Sequence, residues 1–165
     1  SDHFGEAFHN SAGALNEARA KFVQPADLQR FTPTGNELQG YLGKGQWVVV
    51  KIWSSDCHIC NREAHAYQDF HEFNEDADVT VLGISLDGED QQAAKGFIAR
   101  HSITYPNLIA PFMSGAEWFA QLTGQRFIGT PSFLIFDRQG KLRAQQGGAV
   151  PTEMLEQFIE ANDNS

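Results

Sequence analysis

Cys57 and Cys60 are the residues best suited to chemistry, and they are the only cysteines in the 165-residue chain. They follow an apolar run that ends at Trp53, and a helical pattern continues after them. Two cysteines three positions apart in a first helical turn are close enough to form a disulfide. Cys57 would lie at the helix N-terminus, which stabilises the thiolate that acts as nucleophile. Cys60, one turn deeper, would resolve the mixed disulfide, so the pair predicts thiol–disulfide exchange.

The segments around the cysteines predict an alternation of strands and helices. The β-branched and aromatic run Trp47–Trp53 is typical of a central strand buried on both faces. The whole order predicts a mixed α/β sheet covered by helices on both faces. The predicted strands are 47–53, 79–86, 103–109 (interrupted by Pro106), 132–136 and 141–145; the predicted helices are 36–42 with Asn36 as N-cap, about 58–73, 91–101, 114–122, and 152–159 with Thr152 as N-cap.

The chain divides into an N-terminal helical extension at residues 1–30 and one domain at 31–165. Apolar residues from Phe4 to Phe22 recur at helical spacing, and Pro25 predicts the end of that helix. The composition is 41% hydrophobic with 13 Phe, which is enough for a single core. We expect the extension to pack as a helix against this domain.

The composition argues against nucleic acid as the main partner and against a membrane span. The net charge of −9 argues against nucleic acid, because phosphate binding requires clustered Lys and Arg. No apolar run reaches the roughly 20 residues of a membrane span. The N-terminal residues have neither a basic start nor a leader-like apolar segment.

A metal site is the main alternative interpretation of the cysteine pair. A CxxC pair can be half of a zinc site, but the chain has no second cysteine pair and its six histidines are scattered. Cys57, His58 and Cys60 could instead hold Cu(I) in a metal-handling protein. A purely structural disulfide is disfavoured because so small a loop adds little stability.

Two stretches of the chain resemble the TlpA/ResA-like branch of the thioredoxin superfamily, which includes cytochrome c maturation thioredoxins. Residues 38–63 combine a strand ending in Trp53, the CxxC, and Glu63 three positions after the second cysteine. Residues 129–141, Gly-Thr-Pro-Ser-Phe-Leu-Ile-Phe-Asp-Arg-Gln-Gly-Lys, match the second signature of the branch. The resemblance spans most of 31–160. It implies a thioredoxin fold, a central mixed β-sheet flanked by helices, with an inserted strand and helix between about 78 and 110.

The resemblance also implies roles for residues near the cysteines. Pro131 would be a cis-proline facing the CxxC, and the Thr130 backbone would pair with an extended substrate segment beside Cys57. Glu63 shares a helix face with Cys60. A partly buried carboxyl there would have a raised pKa and could accept the Cys60 proton.

The activity that the resemblance implies is that of a protein thiol–disulfide oxidoreductase, working more as a reductase than as an oxidant. Its substrates would be proteins with thiols or disulfides, and its electron donor a membrane protein. The redox-active disulfide would replace any cofactor. The location would be periplasmic or otherwise extracytoplasmic, which requires a signal or anchor that this sequence does not contain.

Three positions near the cysteines depart from the family pattern. Asp56 stands where the family usually has Trp, and its charge opposes the stabilisation of the thiolate by His58 and the helix end. The residues between the cysteines are His and Ile, without the common proline. Lys51 stands where plain thioredoxins hold a buried Asp, and a buried Lys needs a partner. We hypothesise a Lys51–Glu63 pair beneath Cys60 that keeps Glu63 ionised.

Two other activities are disfavoured. Peroxide reduction on a related fold would require a Thr-x-x-Cys pocket with a nearby Arg, and neither Thr130 nor Arg62 has that placement in the sequence. A redox-inactive interaction module is at odds with the intact cysteine pair.

Overall fold

The computed structural model describes residues 27–32 and 35–164 of the chain. The helix predicted in residues 1–24 lies outside these residues. The described strands are β1 Gln29–Arg30, β2 Trp47–Trp53, β3 Val79–Ser85, β4 Asn107–Ile109, β5 Ser132–Phe136 and β6 Leu142–Gly147; the helices are α1 His58–Phe73, α2 Gln91–Arg100, α3 Phe112–Thr123 and α4 Thr152–Asn162, with short 3-10 helices at Asn36–Gly40 and Glu75–Ala77.

The described strands form one mixed sheet in the order β1-β4-β3-β2-β5-β6. β2 pairs in parallel with β3 on one side and antiparallel with β5 on the other, so it is a central strand of the sheet. β4 pairs in parallel with β3 and β1, while β6 pairs antiparallel with β5. The arrangement confirms the predicted mixed α/β sheet, with β2 at its centre.

Two apolar cores cover the two faces of the sheet. Alternate residues of β2 point to opposite faces, so Val49 and Trp53 join one core while Val50 and Ile52 join the other. Helices α1, α2 and α4 bury their apolar sides in the first core, and α3 and the 3-10 helix at Asn36–Gly40 in the second. Both faces of β2 are therefore dry, which explains its continuous apolar sequence.

Three local expectations differ from the structure. Asn36 and Thr152 are not N-caps: Gly35 and Pro151 occupy those positions, and neither helix has a side-chain cap. The extended segment predicted from 103 contains a strand only at Asn107–Ile109, since Pro106 has no N–H for a ladder and instead accepts a bond from Gly83 N–H. Gln29–Arg30, which the sequence analysis assigned to the extension, pair with β4 in the sheet.

The loops around the cysteines lie at the end of the sheet where β2 and β3 finish and β5 begins. β2 ends at Trp53, just before the cysteine pair, and β3 ends at Ser85, which pairs with Trp53. β5 runs in the opposite direction, and Ser132 at its start pairs with Ile52 near the end of β2. The segment before β5 therefore lies at the same end of the sheet as the CxxC.

Candidate active site

Cys57 and Cys60 form a disulfide at the N-terminus of α1, with their Cα atoms 5.2 Å apart. Cys57 is the N-cap residue, and its sulfur accepts a hydrogen bond of 3.1 Å from Cys60 N–H. Cys60 is fully buried, whereas Cys57 is only partly covered. Only the Cys57 sulfur is therefore accessible to an incoming thiol or disulfide.

The loop before β5 lies against the disulfide. The Thr130–Pro131 peptide bond is cis, and the Thr130 carbonyl oxygen is 3.6 Å from Cys57 Sγ. The hydroxyls of Thr130 and Ser54 are 3.3 Å apart, which ties this loop to the segment that precedes the cysteines. The structure thus brings Thr130 and Pro131 together with Cys57.

Lys51 and Glu63 lie together on the side of the sheet whose core contains Tyr67 and Cys60. Lys51 Nζ is 3.6 Å from Glu63 Oε2, with the Lys51 side chain fully buried and the Glu63 side chain 14% exposed. The Lys51 ammonium also lies over the Tyr67 ring, 4.6 Å from its centroid. Neither Lys51 Nζ nor Glu63 Oε2 has a hydrogen-bond partner in the described structure, so the pair is close but poorly satisfied.

Burial dominates the protonation of this pair. It lowers the pKa of Lys51 to about 8, although Glu63 attracts the ammonium. It raises the pKa of Glu63 more than Lys51 and Arg62 lower it. The hypothesised Lys51–Glu63 pair is present, but desolvation outweighs the attraction of an ammonium 3.6 Å away, so the pKa of Glu63 stays above its ordinary value. That Lys51 keeps Glu63 ionised stays a prediction. The raised pKa is the direction predicted for Glu63 from the sequence, and its role as a proton acceptor stays a prediction.

The other two tuning residues lie on the solvent side of the disulfide. Asp56 and His58 flank Cys57 in sequence, and both side chains are exposed. The predicted site is therefore split into two layers: Asp56 and His58 at the surface, Lys51 and Glu63 in the core. Charges in the exposed layer are screened by water and salt, and those in the buried layer much less.

Asp87 is a site residue that the sequence analysis missed. Its Oδ1 accepts hydrogen bonds from Ser55 N–H at 3.0 Å and from Ser55 Oγ–H at 2.7 Å, and Oδ2 accepts from the Ser85 hydroxyl. These bonds hold the turn that leads to Cys57. The available signal was positional, since Asp87 follows a parallel strand whose carboxyl end meets that of β2.

Trp53 is held from several sides just before the turn. Its Nε1–H donates to Asn107 Oδ1 at 2.9 Å, and its ring stacks on Phe97 with centroids 4.2 Å apart. Gly83 allows the first contact, because a Cβ at that position would overlap both the Asn107 amide and the Trp53 indole nitrogen. The end of β2 therefore has little freedom to move the cysteines.

Within residues 27–32 and 35–164, no group of three or more His, Cys, Asp or Glu side chains is arranged to hold a metal ion. None of the helices in this part of the chain has the length and apolarity that a bilayer crossing requires.

The chain matches the AhpC/TSA family over residues 23–145. It is 23% identical over 150 residues to the sporulation thiol-disulfide oxidoreductase A of Bacillus subtilis, covering 90% of this chain and 87% of that protein. It is 25% identical over 129 residues to the thiol-disulfide oxidoreductase ResA of Bacillus anthracis, covering 74% of this chain and 66% of ResA.

Solved structures agree with the predicted fold. A DsbF homologue from Corynebacterium diphtheriae matches with a TM-score of 0.64 and 29% identity, covering 75% of each chain. StoA from Bacillus subtilis matches with a TM-score of 0.55 and 22% identity, covering 70% of this chain and 84% of that one. The thioredoxin fold and the resemblance to ResA-like proteins are confirmed.

Proposed function

The chain belongs to the AhpC/TSA family of the thioredoxin superfamily and is a thiol–disulfide oxidoreductase, and from this premise we propose that it reduces disulfides in other proteins. The observation that carries the proposal is the unequal exposure of the two disulfide sulfurs. Cys57 is partly open beside the Thr130 carbonyl, and Cys60 is buried behind it. One sulfur can meet a substrate while the other resolves from within the protein.

The proposed reaction begins with the reduced protein. The Cys57 thiolate attacks a substrate disulfide, forms a mixed disulfide and releases the first substrate sulfur as a thiolate. Glu63 takes the Cys60 proton, directly or through water, and the Cys60 thiolate then attacks Cys57 Sγ. The second substrate sulfur leaves and takes up a proton. Two electrons have passed to the substrate, and the Cys57–Cys60 disulfide must be reduced again by a dithiol donor.

Each neighbouring residue receives a role in this proposal. The Thr130 backbone, positioned by Pro131, pairs with an extended substrate segment next to Cys57. Glu63 is the proton acceptor, and Lys51 limits how far burial raises its pKa. At the surface, His58 and Asp56 adjust the Cys57 thiolate in opposite directions.

The reductase direction rests on two arguments. A strong oxidant of this type has a stabilised reduced form, and the Asp56 charge next to Cys57 works against such stabilisation. The resemblance to the TlpA/ResA-like branch, which implies a reductase, favours the same direction. By the same resemblance we propose an extracytoplasmic location and a membrane protein as the electron donor.

Two cysteine variants and one equilibrium measurement test the proposal. Cys57→Ser should abolish reduction of a disulfide-bonded protein such as insulin, whereas Cys60→Ser should accumulate a mixed disulfide with it. Equilibration with glutathione should give a reduction potential near the value of thioredoxin, about −270 mV, and a value near about −120 mV would reverse the proposed direction. Stoichiometric Cu(I) binding by a protein without exchange activity, lost when both cysteines become Ser, would support metal handling instead.

A further inference from the structure

Asn61 follows Cys60 directly and holds the turn that presents the disulfide. Its Nδ2 donates to two carbonyl oxygens, that of Ser55 at 3.1 Å and that of Cys57 at 2.9 Å. An amide NH₂ group has two hydrogens, so these bonds use its full donor capacity. These carbonyls belong to the residues on either side of Asp56, so the Asn61 side chain bridges the turn that leads into α1.

The oxygen of the same amide is held by the end of a different helix. Asn61 Oδ1 accepts from Arg100 Nη1 at 2.7 Å, and His101 Nε2 lies 2.8 Å from it. A carbonyl oxygen can only accept, so the proton of this second bond lies on His101 Nε2. Arg100 and His101 stand at the C-terminal end of α2, about 40 positions from Asn61 along the chain. Asn61 thus links α2 to the cysteine turn.

Asn74 shows which part of this arrangement is unusual. It lies at the opposite end of α1, and its Nδ2 donates to Phe70 O at 2.9 Å over the same four-residue spacing as Asn61 to Cys57. The local helix bond is therefore common to both ends. The bond to Ser55 and the contacts from Arg100 and His101 belong to the end with the cysteines.

We propose that Asn61 is a positioning residue of the disulfide site, through which Arg100 and His101 hold the peptide groups around Cys57 in place. The inference rests on the proposed function, since it concerns the reactivity of the same sulfur. Asp87 holds the N–H of Ser55 and Asn61 holds its carbonyl oxygen, so the peptide groups on both sides of Ser55 are anchored. This anchored turn keeps Cys60 N–H aimed at Cys57 Sγ, 3.1 Å away.

The consequence appears in the reduced protein. Hydrogen bonds to a thiolate favour it over the thiol, so a turn that keeps Cys60 N–H in place makes Cys57 more reactive at neutral pH. Without Asn61 the carbonyls of Ser55 and Cys57 lose this anchor, and the N–H spends less time on the sulfur. Arg100 and His101 act on Cys57 through the Asn61 amide in this scheme.

Alkylation of Cys57 by iodoacetamide in the fully reduced protein is the direct test. Asn61→Ala should slow the reaction at pH 7 by about fivefold, the effect of losing about one hydrogen bond, and should move the midpoint of its pH profile upward. Asn74→Ala is the matched control, which should lower the thermal midpoint of unfolding and leave the alkylation rate unchanged. Equal alkylation rates for Asn61→Ala and wild type would overturn the proposal.

A double-mutant cycle separates transmission through Asn61 from a direct effect of charge. Arg100 is exposed, so Arg100→Gln should fold and should slow alkylation by about twofold in the wild-type background. It should have no further effect when Asn61 is already Ala. An equal effect of Arg100→Gln in both backgrounds would show that its charge acts through space, and the proposal would be wrong.

Substitute variants and a separate activity assay distinguish a failed fold from a failed proposal. If Asn61→Ala does not fold, Arg100→Gln and His101→Ala take its place, and wild-type alkylation rates in both would overturn the proposal. Insulin reduction by the wild-type protein is measured separately. Its absence would count against the proposed function, whereas an active wild type with unaltered alkylation in the variants would count against the role of Asn61 alone.

Discussion

Strand β2 connects two clusters of charged side chains that are built in opposite ways. Toward its carboxyl end, Lys51 and Glu63 lie 3.6 Å apart in the core, and the atoms that face each other have no hydrogen-bond partner among the described residues. At its first residue, Trp47 Nε1–H donates to Asp163 Oδ1 at 2.8 Å. Arg138 Nε and Nη2 bind the two oxygens of the same carboxylate at 2.8 and 2.9 Å.

The pKa values of the two carboxyl groups show what this difference means. Hydrogen bonds from Arg138 and then Trp47 lower the pKa of Asp163 to about 2, whereas burial raises the pKa of Glu63. A satisfied carboxylate resists protonation and serves stability, while a buried carboxyl group without such bonds takes up a proton at a higher pH than an ordinary one. The poorly satisfied pair lies in the core that contains Cys60, which fits the proton transfer proposed for Glu63.

The largest expected effect comes from removing one partner of the buried pair. Lys51→Met should cost about 3 kcal/mol of unfolding free energy at pH 7, where Lys51, with a pKa of about 8, is still mostly protonated, because the variant leaves the Glu63 charge buried without a cation. The loss should be smaller at pH 5, where Glu63 takes up a proton more readily. Urea unfolding at both pH values measures this. Arg138→Met is the control from the Trp47–Arg138–Asp163 cluster, whose charged groups are partly exposed, and it should cost about 1 kcal/mol. Equal losses for the two variants would show that the two clusters do not differ in this way.

Removing both partners of each cluster should give effects of opposite sign. Lys51→Met/Glu63→Leu should be at least as stable as wild type, by up to about 4 kcal/mol, because apolar groups of similar volume avoid the desolvation cost. Arg138→Met/Asp163→Leu should lose about 2 kcal/mol, since Trp47 Nε1 and the Gly45 carbonyl lose their partners. Urea unfolding at pH 7 distinguishes the two. A destabilised first variant would mean that the Lys51–Glu63 pair stabilises the fold.

The smallest expected effect is in the acid dependence of stability. The folded pKa of Asp163 is about 2 and its ordinary value is 3.8, so its contribution is present above pH 3.8 and is lost as the pH falls toward 2. For this partly exposed group the loss should stay below about 1 kcal/mol. Thermal unfolding between pH 2 and 5 should show it in wild type and not in Asp163→Asn.

Glu63 should show the opposite slope in the same kind of experiment. Its pKa is raised above the ordinary value of 4.5, so its contribution is present below pH 4.5 and is lost as the pH rises through the folded value. Glu63→Gln should remove this part of the pH dependence and leave the Asp163 part unchanged. If Asp163→Asn removed both slopes, the two carboxyl groups would not differ in the way described.

The most local sequence patterns predicted their elements best. The run Trp47–Trp53, the helix ending at Phe73 and the strand Ser132–Phe136 have the predicted bounds, because each has a long pattern that matches one periodicity. Gln29–Arg30 carry no such pattern, and they are a strand only because β4 offers a free edge. The structure also moves two predicted caps by one residue, since a cap depends on a single backbone conformation.

The site divides in the same way. The spacing of Cys57 and Cys60 after a buried strand was enough to indicate the chemistry, because that argument needs only local geometry. The pairing of Lys51 with Glu63 needed the resemblance as well, which places a buried charge at position 51. Whether burial or the Lys51 charge decides the pKa of Glu63 was not accessible in this way, and neither were the contacts of Arg100 and His101 with Asn61. Desolvation depends on every group packed around an atom, and contacts across 40 positions exist only after the helices have packed on the sheet.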